Sequence, residues 1–188
     1  MSLIDLAKAD YWRAVMYLRL KQTLPDFEGE GVEFGGSNGI IQGMLPQVKF
    51  EVRRYPAYDI TDPNSFEREW DVLIADQILE HVDRPWKAFE LIGEHARAAI
   101  ITVPFMIRIH GSPRDYWRMT PKAIQMMAQP YFNKIDIQSW GTAKASYWHN
   151  LYNRTSELFR NVPEEELIAE LMDNVPNKPF VIWAVLRK

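Results

Sequence analysis

The residues with the clearest chemical purpose stand together as Glu33-Phe34-Gly35-Gly36-Ser37-Asn38-Gly39. Glycines let backbone N–H groups approach a bound molecule closely. Here they follow the short apolar run Val32-Glu33-Phe34, which reads as a buried strand feeding a tight turn. A carboxylate ending a buried strand is costly unless it meets a ligand or backbone donors, which singles out Glu33 and, further on, Asp59. A dinucleotide fingerprint would require glycine at Gly35 and again where the chain holds Ser37 and Ile40, so the turn is a poor nicotinamide site. His81, His95, His110 and His149 include no pair at i, i+4 spacing, and no metal centre is expected from them. Asp59, Asp62 and Asp71 could take magnesium, but Asp62-Pro63-Asn64 reads more simply as a turn.

Elements must position these groups. Tyr11, Val15 and Leu18 recur at helical spacing within Ile4 to Leu24, which Pro25 closes, and Ser2 with Asp5 can form a capping box. Ile40 to Leu45 has room only for a short helix before Pro46, and Val48 to Val52 alternates like a strand. Trp70 to Ala75 and Ala98 to Val103 are nearly continuous apolar runs, while Ile78 to Glu94 reads as helical with Asp83 and Pro85 near its start. After Pro121, a helix over Lys122 to Ala128 precedes strands over Lys134 to Ser139 and Phe180 to Leu186. Apolar runs separated by helical stretches are the pattern of a mostly parallel sheet covered on both faces, so the fold class is α/β. The stretch from Gly141 to Lys178 holds one amphipathic helix, with Pro163 and Glu164 to Glu166 in its first turn and Leu167, Ile168, Leu171 and Met172 as its apolar stripe.

At 188 residues, 47% hydrophobic and 25% charged, the chain is sized for a single domain, and no internal repeat or linker divides it. Its 22 Lys and Arg against 25 Asp and Glu leave a net charge of -3, so no global positive field draws in nucleic acid. The absence of cysteine excludes disulfides, Cys-ligated zinc, iron–sulfur clusters and thiol nucleophiles. No apolar run approaches the ~20 residues that span a bilayer, and Met1 to Asp10 carries Asp5, Lys8 and Asp10 where a signal peptide needs an apolar core. A soluble, cytoplasmic protein is expected.

The acid and glycine spacing of Glu33, Gly35, Gly36, Ser37 and Gly39 resembles that of class I S-adenosylmethionine-dependent methyltransferases, with Ser37 at the middle glycine. Tyr58-Asp59-Ile60 and the run Trp70-Asp71-Val72-Leu73-Ile74-Ala75-Asp76-Gln77-Ile78-Leu79-Glu80-His81-Val82 resemble successive motifs of the type 11 branch. Thr102-Val103-Pro104-Phe105, His110, Pro113, Asp115-Tyr116-Trp117-Arg118, Thr120-Pro121 and Ser139-Trp140-Gly141 resemble a sub-branch of it, so the likeness runs from Gly31 to Gly141. It implies a Rossmann-like, mostly parallel twisted sheet flanked by helices, with the last strands antiparallel. It also implies S-adenosylmethionine as cofactor, its methionine portion cradled by Gly35, Gly36, Ser37 and Gly39 with Glu33 behind them. Asp59 and Ile60 would lie at the adenine, and Asp76 and Gln77 along the other wall. The chain departs from the family at three places. The stretch from Gly39 to Asp59 is too short for the usual helix, strand, helix and third strand; Glu51, followed by Arg53 and Arg54, is the nearest candidate for the ribose-binding acid; and Glu94-His95-Ala96-Arg97-Ala98 replaces the family's KPGG turn.

Methyl transfer from a sulfonium needs an in-line nucleophile ~3 Å from the methyl carbon, and a hydroxyl acceptor also needs a base. By position, His110 and Asp115 are the base candidates. Tyr116, Trp117 and Trp140 could wall the acceptor pocket, and Arg118 or Arg108 could hold an anionic acceptor. Plainer readings stand beside these: His81 as a structural hydrogen-bonding residue, Asp115 with Arg118 as an ion pair at a turn, and Trp117 as core. The resulting picture is a single methyltransferase-like domain over 1–188 with an N-terminal helix within 1–30. The 142–179 insertion would act as a lid or an oligomerisation element, which would make the chain a homo-oligomer. The acceptor would be a small molecule or a saccharide-type metabolite. The rival reading is a non-catalytic relative that keeps the fold and serves as a scaffold.

Overall fold

The computed structural model describes residues 3–35, 39–111, 114–143, 165, 169 and 172–188. Helix α1 (Leu3–Thr23) leads into strand β1 (Gly29–Phe34). A single 3-10 turn (Gln42–Met44) then precedes β2 (Val48–Arg53). A second 3-10 turn (Pro63–Ser65) follows, then β3 (Trp70–Asp76), a third turn (Leu79–His81), α2 (Pro85–His95) and β4 (Ala96–Pro104). The chain continues through α3 (Pro121–Ala128), β5 (Lys134–Trp140) and β6 (Val181–Arg187). The six strands form one sheet in the order β2-β1-β3-β4-β6-β5. The pairs among β2, β1, β3 and β4 are parallel, whereas β6 runs antiparallel to both β4 and β5.

The strands read as apolar throughout because both faces of the sheet are covered. Val72 and Ile74 of β3, Ile100 of β4, and Trp183 and Val185 of β6 point to one side, where Val15, Met16 and Leu20 of α1 pack on them. Leu73 and Ala75, Ile101 and Val103, and Ile182 and Ala184 point to the other side, against Phe89 and Ile92 of α2 and Ile124 of α3. Side chains alternate across a strand, so β3, β4 and β6 each feed two cores at once.

Two boundaries differ from the sequence reading for identifiable reasons. The helix read over Ile78 to Glu94 is two pieces: Leu79–His81 forms an isolated 3-10 turn, and α2 starts only at Pro85. The residue before a proline is driven out of the helical region, and Arg84 accordingly sits at φ -125°, ψ 70°. Between Gly39 and Asp59, the short sequence leaves one 3-10 turn and β2 but no further strand, so β2 is a sheet edge. Helix α3 begins as its sequence requires, with Pro121 in the first turn and the Thr120 hydroxyl accepting from the Ala123 N–H at 3.1 Å. Among the described residues no helix is long and apolar enough to cross a membrane. Most of the 142–179 insertion lies outside the described residues, as do Gly36 and Ser37.

Candidate functional site

The C-terminal ends of β1 and β3 open onto a cavity of about 610 Å³. Phe34 and Gly35 form its floor. Tyr55, Tyr58, Asp59, Ile60 and Thr61 give one wall, and Gln77, Ile78 and His81 give another. Crevices at the carboxyl ends of parallel strands are where open α/β sheets bind ligands, and the volume suits a small molecule. Gly35 has φ 103°, and a Cβ there would lie 2.7 Å from Ile78 Cδ1. The backbone turns into the cavity at this point because no side chain is present.

Glu33, wholly buried, lies behind this turn, where Gln42 Nε2 donates to its Oε2. Asp59 lines the cavity, and its Oδ1 accepts from both the N–H and the hydroxyl of Thr61 at 2.8 Å. Ile60 beside it is 3% exposed. Gln77 also lines the cavity, in a left-handed conformation (φ 56°) rare for a residue with a side chain. Its Nε2 donates to Thr102 Oγ1 at 2.9 Å, which holds that conformation. Asp76, by contrast, does not line the cavity. Tyr17 Oη donates to its Oδ2 at 2.6 Å and Thr102 Oγ1 donates to its Oδ1, so the carboxylate ties α1 to the sheet. Gly39, at φ 67°, lies at the far side of the turn.

On the acceptor side the structure separates the expected residues. Tyr116 lines the cavity, and its OH accepts from Arg114 Nη1 at 3.2 Å. Trp117 instead packs edge to face on Trp86, with its indole N–H donating to the Val82 carbonyl at 2.9 Å. Trp140 is fully buried and donates to the Asp173 carbonyl at 2.7 Å, as a core residue does, and it does not line this cavity. Arg118 is spent on Asp115 and on the Ile107 and Arg108 carbonyls, and among the described residues Arg114 is the cation that lines the cavity. Asp115, with a side chain 1% exposed, meets Arg118, the His110 N–H at 2.9 Å and His110 Nδ1 at 3.1 Å. Burial alone would raise its pKa, but the Arg118 hydrogen bond, the His110 amide and both neighbouring charges outweigh it and hold the carboxyl below its usual range. An acid so held is a poor proton acceptor, and it orients His110 instead.

Compared by sequence, the chain matches no family model and no curated protein. Compared by structure, it superposes on a SAM-dependent methyltransferase from Archaeoglobus fulgidus with a TM-score of 0.58, 14% identity and 94% of each chain covered. The fold is that of the class I methyltransferases. A Thermotoga maritima methyltransferase described as a possible histamine N-methyltransferase gives a TM-score of 0.58 at 11% identity, with 97% of this chain and 92% of that one covered. The N-methyltransferase NodS of Bradyrhizobium japonicum, solved with S-adenosyl-L-homocysteine, gives 0.54 at 10% identity, with 94% and 85% covered.

Within this fold, Glu51 stands outside the cavity lining. Its Oε1 accepts from Trp70 Nε1 at 2.8 Å and from Arg53 Nη2 at 3.2 Å. Strand β2 ends in Arg53, whose guanidinium lies 4.8 Å from both the Tyr58 and Trp70 ring centroids. Tyr55, Thr61 and Arg114 line the cavity although nothing in their local sequence marks them. Glu80 is also new as a functional candidate. It is 1% exposed, and neither carboxylate oxygen has a hydrogen-bond partner among the described residues. Burial pushes its carboxyl up to about 8, with Asp76 and Asp115 adding to the rise.

Proposed function

We propose that this cavity binds S-adenosylmethionine and that the protein transfers the cofactor's methyl group to a small-molecule or saccharide-type acceptor. The observation that carries the reading is the cavity itself. It lies over the ends of β1 and β3 in a class I methyltransferase fold, with Gly35 at a point where a side chain would press on Ile78. The residues fit the cofactor: Gly35 and Gly39 leave the turn backbone bare for the methionine portion, and Asp59 and Ile60 offer a polar and an apolar edge to the adenine. Gly36 and Ser37 belong to the same cradle by sequence. Gln77 extends the wall, and Glu33 supports the turn through Gln42. When bound, the cofactor supplies an electrophilic methyl group on a sulfonium.

The chain's own contribution is placement and exclusion of water. Tyr55, Tyr58 and Tyr116 present aromatic surface to a cation, and Arg114 offers an acceptor a positive charge. Among the described residues His81 is the imidazole that lines the cavity; His110 adjoins it with ring centroids 5.0 Å apart. A scaffold without cofactor is favoured by one observation, the arginine where the family has the ribose acid at the end of β2. Calorimetric titration with S-adenosylmethionine, S-adenosylhomocysteine and NAD separates the two. Micromolar binding of the first two, about -8 kcal/mol, with none of NAD is expected. No heat with any of them would leave the scaffold.

A further inference from the structure

Glu80 and His81, on the 3-10 turn after β3, meet His110, on the loop after β4, and one ligand-capable atom from each lies within 4.8 Å of the others. The two stretches are tied together by the Glu80 carbonyl, which accepts from the N–H groups of Tyr116 at 2.8 Å and Trp117 at 3.3 Å. The Glu80 carboxyl is buried without a hydrogen-bond partner among the described residues, so it stays protonated unless a cation lies beside it. His81 Nε2 stands 3.6 Å from its Oε1.

Both imidazoles are held from behind. His81 Nδ1 meets the Arg114 carbonyl, and His110 Nδ1 stands 3.1 Å from Asp115 Oδ2, with Asp115 gripped in turn by Arg118. The Arg114 carbonyl on His81 Nδ1 selects the tautomer that presents Nε2 as a ligand, as in metal-binding histidines, while the Asp115 carboxylate lies at ion-pair distance from His110 Nδ1 without hydrogen-bond geometry and takes the His110 backbone N–H. We propose that Glu80, His81 and His110 form a binding site for a divalent transition-metal ion, with zinc the best match. Two imidazole nitrogens and one carboxylate are a zinc donor set that leaves a fourth position open, whereas magnesium and calcium prefer all-oxygen shells. His81 also lines the cavity, so the ion belongs to its wall, and His110 acts as a ligand instead of a base. The assignment is independent of the methyltransferase reading, because it rests on the three side chains and the groups behind them.

The test uses full-length protein stripped with EDTA and checked for residual metal by mass spectrometry. The stripped protein is titrated calorimetrically with zinc chloride and, separately, magnesium chloride. One zinc per chain at micromolar affinity or tighter is expected, with no magnesium heat. Glu80→Gln and His110→Ala should each weaken zinc binding at least tenfold. His95→Ala should bind as the wild type does, since His95 lies on Phe66 and the Arg68 carbonyl, outside the cluster. Glu80→Gln keeps the shape of the neutral side chain, so its melting curve in EDTA should match wild type; this variant decides the matter even if His110→Ala does not fold. Cobalt(II) gives a second readout, with the intense visible bands of a four-coordinate site in wild type and none in Glu80→Gln. Stripped wild-type protein that takes up no zinc, or Glu80→Gln that binds zinc as tightly as wild type, would overturn the assignment.

Discussion

At the cavity, Asp59 accepts two hydrogen bonds from Thr61 through Oδ1, so its charge and its turn-forming role can be separated by substitution. Asn keeps the acceptor and loses the charge. Asp59→Asn should therefore leave urea stability within about 0.5 kcal/mol of wild type. In calorimetry, if the carboxylate meets the adenine edge or its water shell, S-adenosylhomocysteine binding should fall by about tenfold, ~1.4 kcal/mol. Unchanged affinity would remove Asp59 from the cofactor site. Gly35→Ala tests the turn in the opposite way. An alanine at φ 103° is strained, and its Cβ would press on Ile78, so urea denaturation should show a loss of ~1–3 kcal/mol together with weaker cofactor binding. Wild-type stability in that variant would mean that the turn can relax away from Ile78.

Among the elements, α1 is fixed to the sheet by a polar contact as well as by packing. Tyr17 reaches across to Asp76 at the end of β3, and Asp76 in turn takes the Thr102 hydroxyl of β4. Removing the phenol leaves a buried carboxylate oxygen without its donor. Tyr17→Phe should cost ~1–3 kcal/mol in urea denaturation while the core volume is nearly unchanged. A loss below about 0.5 kcal/mol would show that water replaces the phenol. The same Thr102 hydroxyl accepts from the Gln77 side chain, so the helix contact and the left-handed residue in the cavity wall share one network. The turn at Leu79–His81 shows what periodicity alone misses. Ile78, Val82 and the α2 residues fit one apolar stripe, but Arg84 before Pro85 breaks the chain into a turn and a helix, and that break places His81 at the cavity.

Across the whole molecule, β3, β4 and β6 each feed both cores, so neither layer of helices can leave without exposing the sheet. Urea unfolding followed by far-UV circular dichroism and by tryptophan fluorescence should give coincident midpoints. Separated midpoints would show that one layer unfolds by itself. Trp140 belongs to this scale, because it joins β5 to Phe180 and to the Asp173 carbonyl. Trp140→Ala should cost ~3–5 kcal/mol of stability and leave cofactor affinity in the folded protein unchanged. Lost affinity with retained stability would return Trp140 to the binding site.

The sequence by itself determined the strands, the order of the helices, the α/β class and the glycine turn. Alternation, apolar runs and proline or glycine stops are local properties, written along the chain at the period of each element. It also marked Glu33, Asp59 and Gln77, since the motifs around them are contiguous in the sequence. The tertiary structure alone decided which polar groups face the cavity and which are consumed by partners. Asp76 and Trp140 looked available one residue at a time, but Asp76 meets Tyr17 from a different stretch of chain and Trp140 is closed into the core, while Asp115 and Arg118 form the local ion pair that the sequence also allowed. The meeting of Glu80 and His81 with His110 was likewise hidden, because the loops after β3 and β4 become neighbours only when those strands pair in the parallel sheet.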